Sequence, residues 1–333
     1  MKVGLNLFGD FSDEYSPQEN FESLLRQTTA ARDAGFDLIS AGHHYAVEAY
    51  QRFQIVPTAG RLAAETGDMH LCLWTLLPLH NPVEIAEQFA TLDVITNGRI
   101  VLGPVAGYRD IEFHAFDVEK SERMARLYEK VEIIKRLWTE DDVTYRGTFH
   151  ELEGVTINPK PIQDPHPPIW VGANTDRAVR NAARYGDAWA INPHEDVDTI
   201  VRQLELIDPP DGDEIRGVQP AIREVFIAES DEAAFQACKR PWGEYYDWYD
   251  QEGQSDATEN PEAFRQQFEQ LQEDRFVIGS PETVTEELSA FAERTGVSCL
   301  ILVMRKPTLP EADALRAIEL AGEHVIPELK ARF

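Results

Sequence analysis

Short apolar runs alternate along this chain with longer stretches in which apolar residues recur every three or four positions. The short runs fall at 3–8, 37–41, 70–76, 100–104, 168–172, 187–191, 219–227 and 298–303. Each suits a strand buried on both faces. The stretches between them predict helices. Residues 18–34 set Phe21, Leu24, Leu25 and Ala31 on one face and Glu22, Arg26, Arg32 and Asp33 on the other, stopping at Gly35. Residues 83–96 follow Pro82 and carry Ile85, Ala86, Phe89, Leu92 and Val94 as the expected buried stripe. Residues 121–138 repeat the pattern with Leu127, Val131, Ile134, Leu137 and Trp138. Eight such alternations predict an α/β fold, a closed (β/α)8 TIM barrel in preference to an open doubly wound sheet.

Three segments break the alternation. Residues 142–167 read as a hairpin over Val143–Phe149 followed by a proline-rich passage, an insertion before strand five. Residues 207–217, with Pro209, Pro210, Gly212 and Gly217, read as an exposed loop. Residues 240–282 are too long for a simple connection, and predict extra helices between strands seven and eight. The expected organisation is one barrel domain over residues 1–333 with insertions at about 142–167 and 240–282.

Composition adds limits. With 43% hydrophobic residues over 333 positions, the core needs neither metal nor disulfide to hold it. Cys72, Cys238 and Cys299 are scattered and odd in number, which suits free thiols in a reducing cytoplasm. The chain enters its first strand directly after Met1 and Lys2, and no apolar run approaches the ~18 residues of a membrane span. A cytoplasmic location is expected. Fifty-nine acidic against thirty-one basic residues give a net charge of −28, which disfavours nucleic acid and anionic membranes as partners. The scarcity of lysine suits either a high-salt protein or an ordinary acidic enzyme.

The chemistry of a parallel barrel gathers at the carboxyl ends of its strands. After strand two comes Gly42-His43-His44-Tyr45. Side chains alternate in an extended segment, so one histidine should face the barrel mouth while the other packs elsewhere. A histidine there either handles protons near neutral pH or merely caps the strand. No metal is expected, since adjacent histidines share no face and no third ligand has suitable spacing. After strand four, Val105-Ala106-Gly107 offers small residues that let a flat or anionic ligand approach the backbone. After strand five, Gly172-Ala173-Asn174-Thr175 runs into a helix. Such a turn suits a phosphate, or is simply an N-cap made by Asn174 or Thr175. The chain contains no P-loop, GxGxxG or GxSxG motif, so the usual nucleotide and hydrolase readings lose support.

An ordered set of blocks carries a resemblance. It comprises Ala34-Gly35-Phe36-Asp37 leading to His43-His44-Tyr45; Leu76-Leu77-Pro78-Leu79-His80-Asn81-Pro82; Asn97-Gly98-Arg99; Glu112-Phe113 with Ala115-Phe116; Pro159-Lys160-Pro161-Ile162-Gln163; and Gly186-Asp187-Ala188-Trp189. Ile278-Gly279-Ser280-Pro281-Glu282 follows later. The chain resembles the luciferase-like monooxygenase superfamily, whose members use FMN or the deazaflavin F420.

The resemblance implies a TIM barrel with a flavin at its carboxyl end. It selects His43 over His44, matching a histidine thought to act as a base in bacterial luciferase. Leu73, Trp74 and Thr75 match the stretch against the flavin ring, where a non-proline cis peptide often occurs. Val105, Ala106 and Gly107 match the strand-four segment near the flavin, and Gly172, Ala173, Asn174 and Thr175 match the phosphate turn. Ala106 stands where luciferase has a phosphate-binding arginine, Gly42 stands where the family often has an acid, and Trp74 is bulkier than the residue expected there. The implied function is oxygenation of a small organic substrate with reduced FMN from a partner flavin reductase, in a homodimer. The alternatives are F420-dependent hydride transfer and a flavin-binding relative without turnover. Trp242, Tyr245, Tyr246 and Tyr249 share a helical face. They either pack on the barrel or, with Trp242 and Tyr246 foremost and His44 nearby, roof a substrate pocket.

Overall fold

The computed structural model describes residues 1–7, 10–212, 214–255, 258, 268, 270–271 and 275–333. At its centre stand β1 (Lys2–Asn6), β2 (Leu38–Gly42), β3 (His70–Leu76), β4 (Ile100–Val105), β5 (Trp170–Gly172), β6 (Ala188–Ala190), β7 (Pro220–Ile227) and β8 (Cys299–Val303). β1 pairs in parallel with β8 and β2, and β2, β3 and β4 follow in order. A bridge from Leu102 to Ile169 joins β4 to β5, β5 pairs with β6, and a bridge from Ile191 to Ala221 joins β6 to β7. β7 returns to β8. The ring closes as a (β/α)8 barrel.

The helices around it are α1 (Pro17–Asp33), α2 (Ile55–Leu62), α3 (Pro82–Ile95), α4 (Arg123–Thr139), α5 (Asp176–Tyr185), α6 (Val197–Leu204), α7 (Asp231–Gln251), α8 (Pro281–Thr295) and α9 (Glu311–Leu320). Local sequence explains where they begin. Ser16 and Glu19 form a capping box before α1, and Asn81 caps α3 by accepting the Val83 N–H at 2.9 Å. Each has proline in its first turn.

One predicted core position is wrong. Val94 is 47% exposed. It lies two residues past buried Leu92, which is about 200° around the helix. The buried neighbour is instead Asp93, whose carboxylate accepts the N–H groups of Ile162 and Gln163 at 2.7 and 3.0 Å and so ties down the proline-rich passage.

The first insertion contains the expected hairpin, Val143–Arg146 paired antiparallel with Glu151–Val155. The 207–217 segment differs from a plain exposed loop: Ile215 is buried, and with Val218 it packs against the interior residues Leu38, Cys72 and Cys299. In the second insertion α7 starts at Asp231, before the expected boundary. A further parallel strand, Phe276–Gly279, extends β7 and had no counterpart in the apolar pattern. Residues 256–257, 259–267, 269 and 272–274 of this insertion lie outside the described residues. The three cysteines are free and buried. Among the described residues no helix is long and apolar enough to cross a membrane.

Candidate active site

A cavity of about 260 Å³ opens at the carboxyl end of the barrel. Its wall is built strand by strand: Asn6 from β1, Gly42 to His44 after β2, Trp74 and Leu76 from β3, Val105 to Tyr108 after β4, Gly172 to Thr175 after β5, and Ala190 with Asn192 to His194 after β6. Arg52, Arg123, Met124, Ala178, Ile222, Tyr249 and Gln254 complete it. The protein carries 59 acidic residues, yet no carboxylate stands among the described residues of this wall. Two arginines and three histidines do.

Both histidines of the pair border the cavity, contrary to the alternation expected of a strand. The reason is local. β2 ends at Gly42, so the backbone that follows is no longer bound to the two-residue repeat. The two rings differ in their surroundings. His43 is buried with its ring stacked on His80 at 4.9 Å, and its Nδ1 has no partner. Burial, reinforced by His80, Arg52 and His44, pushes its pKa down to about 2, so it is a neutral imidazole. His44 sets Nδ1 against Glu112 Oε1 at 2.9 Å. The same oxygen accepts the Tyr45 N–H at 2.8 Å, and Arg109 Nη1 stands 3.6 Å away. Burial lowers the His44 pKa, aided by Arg52 and opposed by Glu112. Arg52 is itself neutralised by both oxygens of Asp10 at 2.5 and 2.6 Å.

Trp74 forms part of the cavity wall, and its bulk is accommodated from across the sheet. It lies opposite Gly103, where a Cβ would fall 2.2 Å from the indole Cε3. Leu73 and Thr75 do not reach the cavity. Leu73 packs in the core with Leu71 and Leu102, and Thr75 turns its hydroxyl to the Leu73 carbonyl at 3.1 Å. Here β3 is regular, so only alternate residues face inward. The cis peptide expected in this stretch is absent: among the described residues the cis bonds are Asn158-Pro159 and Asp164-Pro165.

At the opposite wall Gly172, Ala173, Asn174 and Thr175 lead into α5. The capping alternative is only half realised. Thr175 is the N-cap residue, but its side chain makes no capping hydrogen bond. Gly172 is required here, since a Cβ would lie 2.8 Å from Val105 Cγ1. Arg123, on the first turn of α4, adds a cation to this side of the cavity. It stands on a different element from Ala106, where the expected arginine is missing.

Trp242 and Tyr246 are not on the cavity wall. Trp242 is buried with Nε1 on Glu224 Oε2 at 3.0 Å, and Glu224 also pairs with buried Lys306 at 2.8 Å. Tyr246 stands behind His194, its hydroxyl 3.3 Å from Nδ1. The reason lies in the helix: of the aromatic face, Tyr249 alone extends to the cavity. Burial pushes the His194 pKa down to about 3. Among the described residues no group of three or more His, Cys, Asp or Glu is placed to hold a metal ion.

Sequence reasoning missed Asn6, Arg52, Tyr108, Arg123, Met124, His194 and Gln254 as wall residues, and of the aromatic face it favoured Trp242 and Tyr246 over Tyr249. Asn6 could have been found, being the lone polar residue at the carboxyl end of an apolar strand.

The profile of the family described as luciferase-like monooxygenase matches residues 1–299. The chain belongs to this family. Within it, the structure superposes on the monooxygenase RslO1 from Streptomyces bottropensis with a TM-score of 0.85 at 26% identity, covering 99% of this chain and 100% of that one. An FMNH(2)-dependent dimethylsulfone monooxygenase of Pseudomonas putida is 35% identical over 130 residues, 38% of this chain and 36% of its own length. An F420-dependent glucose-6-phosphate dehydrogenase of Microbacterium testaceum is 30% identical over 200 residues, 58% of each chain. The chain therefore spans only part of the length of these last two relatives.

Proposed function

We propose that this protein is an oxidoreductase of the flavin-dependent monooxygenase type, using reduced FMN from a separate reductase and dioxygen to oxygenate a small organic substrate. The observation that carries the reading is the composition of the cavity wall: a turn of small residues at a helix start with Arg123 nearby, and two imidazoles with Trp74. Buried polar atoms without partners suit the heteroatom edge of a flavin. Both ends of the Asn6 amide, Trp74 Nε1, the Tyr108 hydroxyl and His43 Nδ1 stand in this state on the wall. Gly172 to Thr175 and Arg123 would hold the phosphate, and Val105, Ala106, Gly107 and Trp74 the ring. Bound flavin supplies the electrons and the activation of oxygen. The protein orients the reactants, excludes water, and presents His43 as a neutral hydrogen-bonding group. The family resemblance adds a homodimer to this reading.

A second reading, F420-dependent hydride transfer, is favoured by the likeness to the glucose-6-phosphate dehydrogenase. Titration of the purified protein with oxidised FMN, anaerobically reduced FMN and F420 separates the two. Tight binding of reduced FMN is expected, with peroxide released on admitting air. Binding of F420 with none of FMN overturns the monooxygenase reading in favour of the second.

A further inference from the structure

We infer that His44, held by Glu112, is the base that takes up a proton during turnover, and that His43 beside it stays neutral. The inference rests on the flavin reading above and concerns the same cavity. Two adjacent imidazoles reach the wall, but among the described residues one alone has a carboxylate behind it. Glu112 is fully buried on the helix Asp110–Ala115, and one of its oxygens takes both His44 Nδ1 at 2.9 Å and the Tyr45 N–H at 2.8 Å. A carboxylate accepts hydrogen bonds and does not donate them, so the His44 proton sits on Nδ1. This leaves Nε2 with its lone pair as the ring atom of a side chain 12% exposed at the cavity.

Such an arrangement stabilises an imidazolium when one forms. A proton leaving an acidic X–H at the reacting centre joins the Nε2 lone pair, and the X–H electron pair stays on X. The Nδ1 proton remains in place, now between two charged partners. His43 lacks this support: its Nδ1 is buried with no partner, and its ring lies against His80. The charged and titratable groups facing His44 are His43 on its own segment, Arg52 with Asp10, Tyr108, and Arg109 with Glu112. Burial and Arg52 keep His44 neutral at rest, as a base must be, while Glu112 opposes them.

Glu112 is then a positioning residue and His44 the catalytic one. Two measurements on the full chain test this. Nitrogen NMR of the ligand-free protein should show the His44 proton on Nδ1, and Glu112→Gln should shift or reverse that tautomer. Oxidation of bound reduced FMN by dissolved oxygen then gives the kinetic arm. There two electrons and two protons would reach each oxygen molecule: His44 Nε2 would take one proton from the reduced cofactor and pass it on, the second would come from water, and hydrogen peroxide would leave. His44→Asn and Glu112→Gln should slow this reaction at least tenfold and flatten its pH profile, with FMN affinity unchanged. Glu112→Asp should restore part of the rate, and His43→Asn, whatever it does to the rate, should keep the shape of the pH profile. A proton on His44 Nε2, or an unchanged profile in His44→Asn, overturns the inference. If reduced FMN does not bind, the flavin reading fails separately, and the tautomer still decides the dyad.

Discussion

The Arg123 side chain makes one hydrogen bond among the described residues, to the Lys120 carbonyl at 3.1 Å. It stands on the cavity wall with the turn before α5. A cation so placed contributes to a phosphate and little to a ring. Arg123→Ala is expected to weaken FMN binding by roughly tenfold or more, the scale of one charge-assisted hydrogen bond. Riboflavin, which lacks the phosphate, should bind wild type and variant alike. Equal losses for both ligands would place Arg123 elsewhere in the cofactor's footprint. No local pattern marks this arginine, because the first turn of a helix meets the end of β5 only through the closed ring. Leu73 and Thr75 are the reverse case. The alternation of a regular strand already turned both away from the barrel interior, and family likeness alone put them at the ring. Trp74, between them, was legible on both counts.

Among the elements, α4 does more than cover the barrel. Its buried Lys130 donates to the carbonyls of Leu77, Pro78 and His80 at 3.3, 2.7 and 2.6 Å, gathering the turn that follows β3. Burial lowers the pKa of this ammonium to about 8. The gathered turn presents His80, whose ring lies on His43 and whose Nε2 meets the Tyr45 hydroxyl at 3.0 Å. Lys130→Met would leave these carbonyls without their donor, and should cost about 2–3 kcal/mol of stability. Urea unfolding measures it, and a change under ~0.5 kcal/mol would show that the turn holds itself. Periodicity read α4 well, with Leu127, Val131, Ile134, Leu137 and Trp138 all buried. It gave no hint of Lys130, since a lysine on an amphipathic helix ordinarily faces water. The starts expected for α1 and α3, residues 18 and 83, fall within one residue of the observed Pro17 and Pro82. The Phe276–Gly279 strand was not readable, being four residues long within a region expected to be helical.

For the whole molecule, the buried histidines set an acid limit. Burial lowers the pKa values of His43, His80 and His194 to about 2, 4 and 3, and lowers that of His44 as well. In the unfolded chain each returns to about 6.5. Below that pH the unfolded chain takes up protons that the native protein refuses, so stability falls as pH falls from about 6.5 toward 4. Urea midpoints should therefore drop between neutral pH and about pH 5. Enough salt must be present to screen the net charge, whose own relief on acidification acts the other way. An unchanged midpoint would mean that these imidazoles are not held neutral.

That no carboxylate stands among the described residues of the wall has a further consequence in a protein of net charge −28. On the proposed reading, an anionic flavin nearing the barrel mouth would climb a repulsive field before it met Arg123 and the turn at β5. Long-range steering would thus work against capture, leaving short-range contacts alone to hold the cofactor once it had arrived. The barrel behaves as a well sunk in a hill: slow to fill from dilute solution, quicker as ionic strength flattens the slope, and best served by a carrier that releases its flavin at the rim.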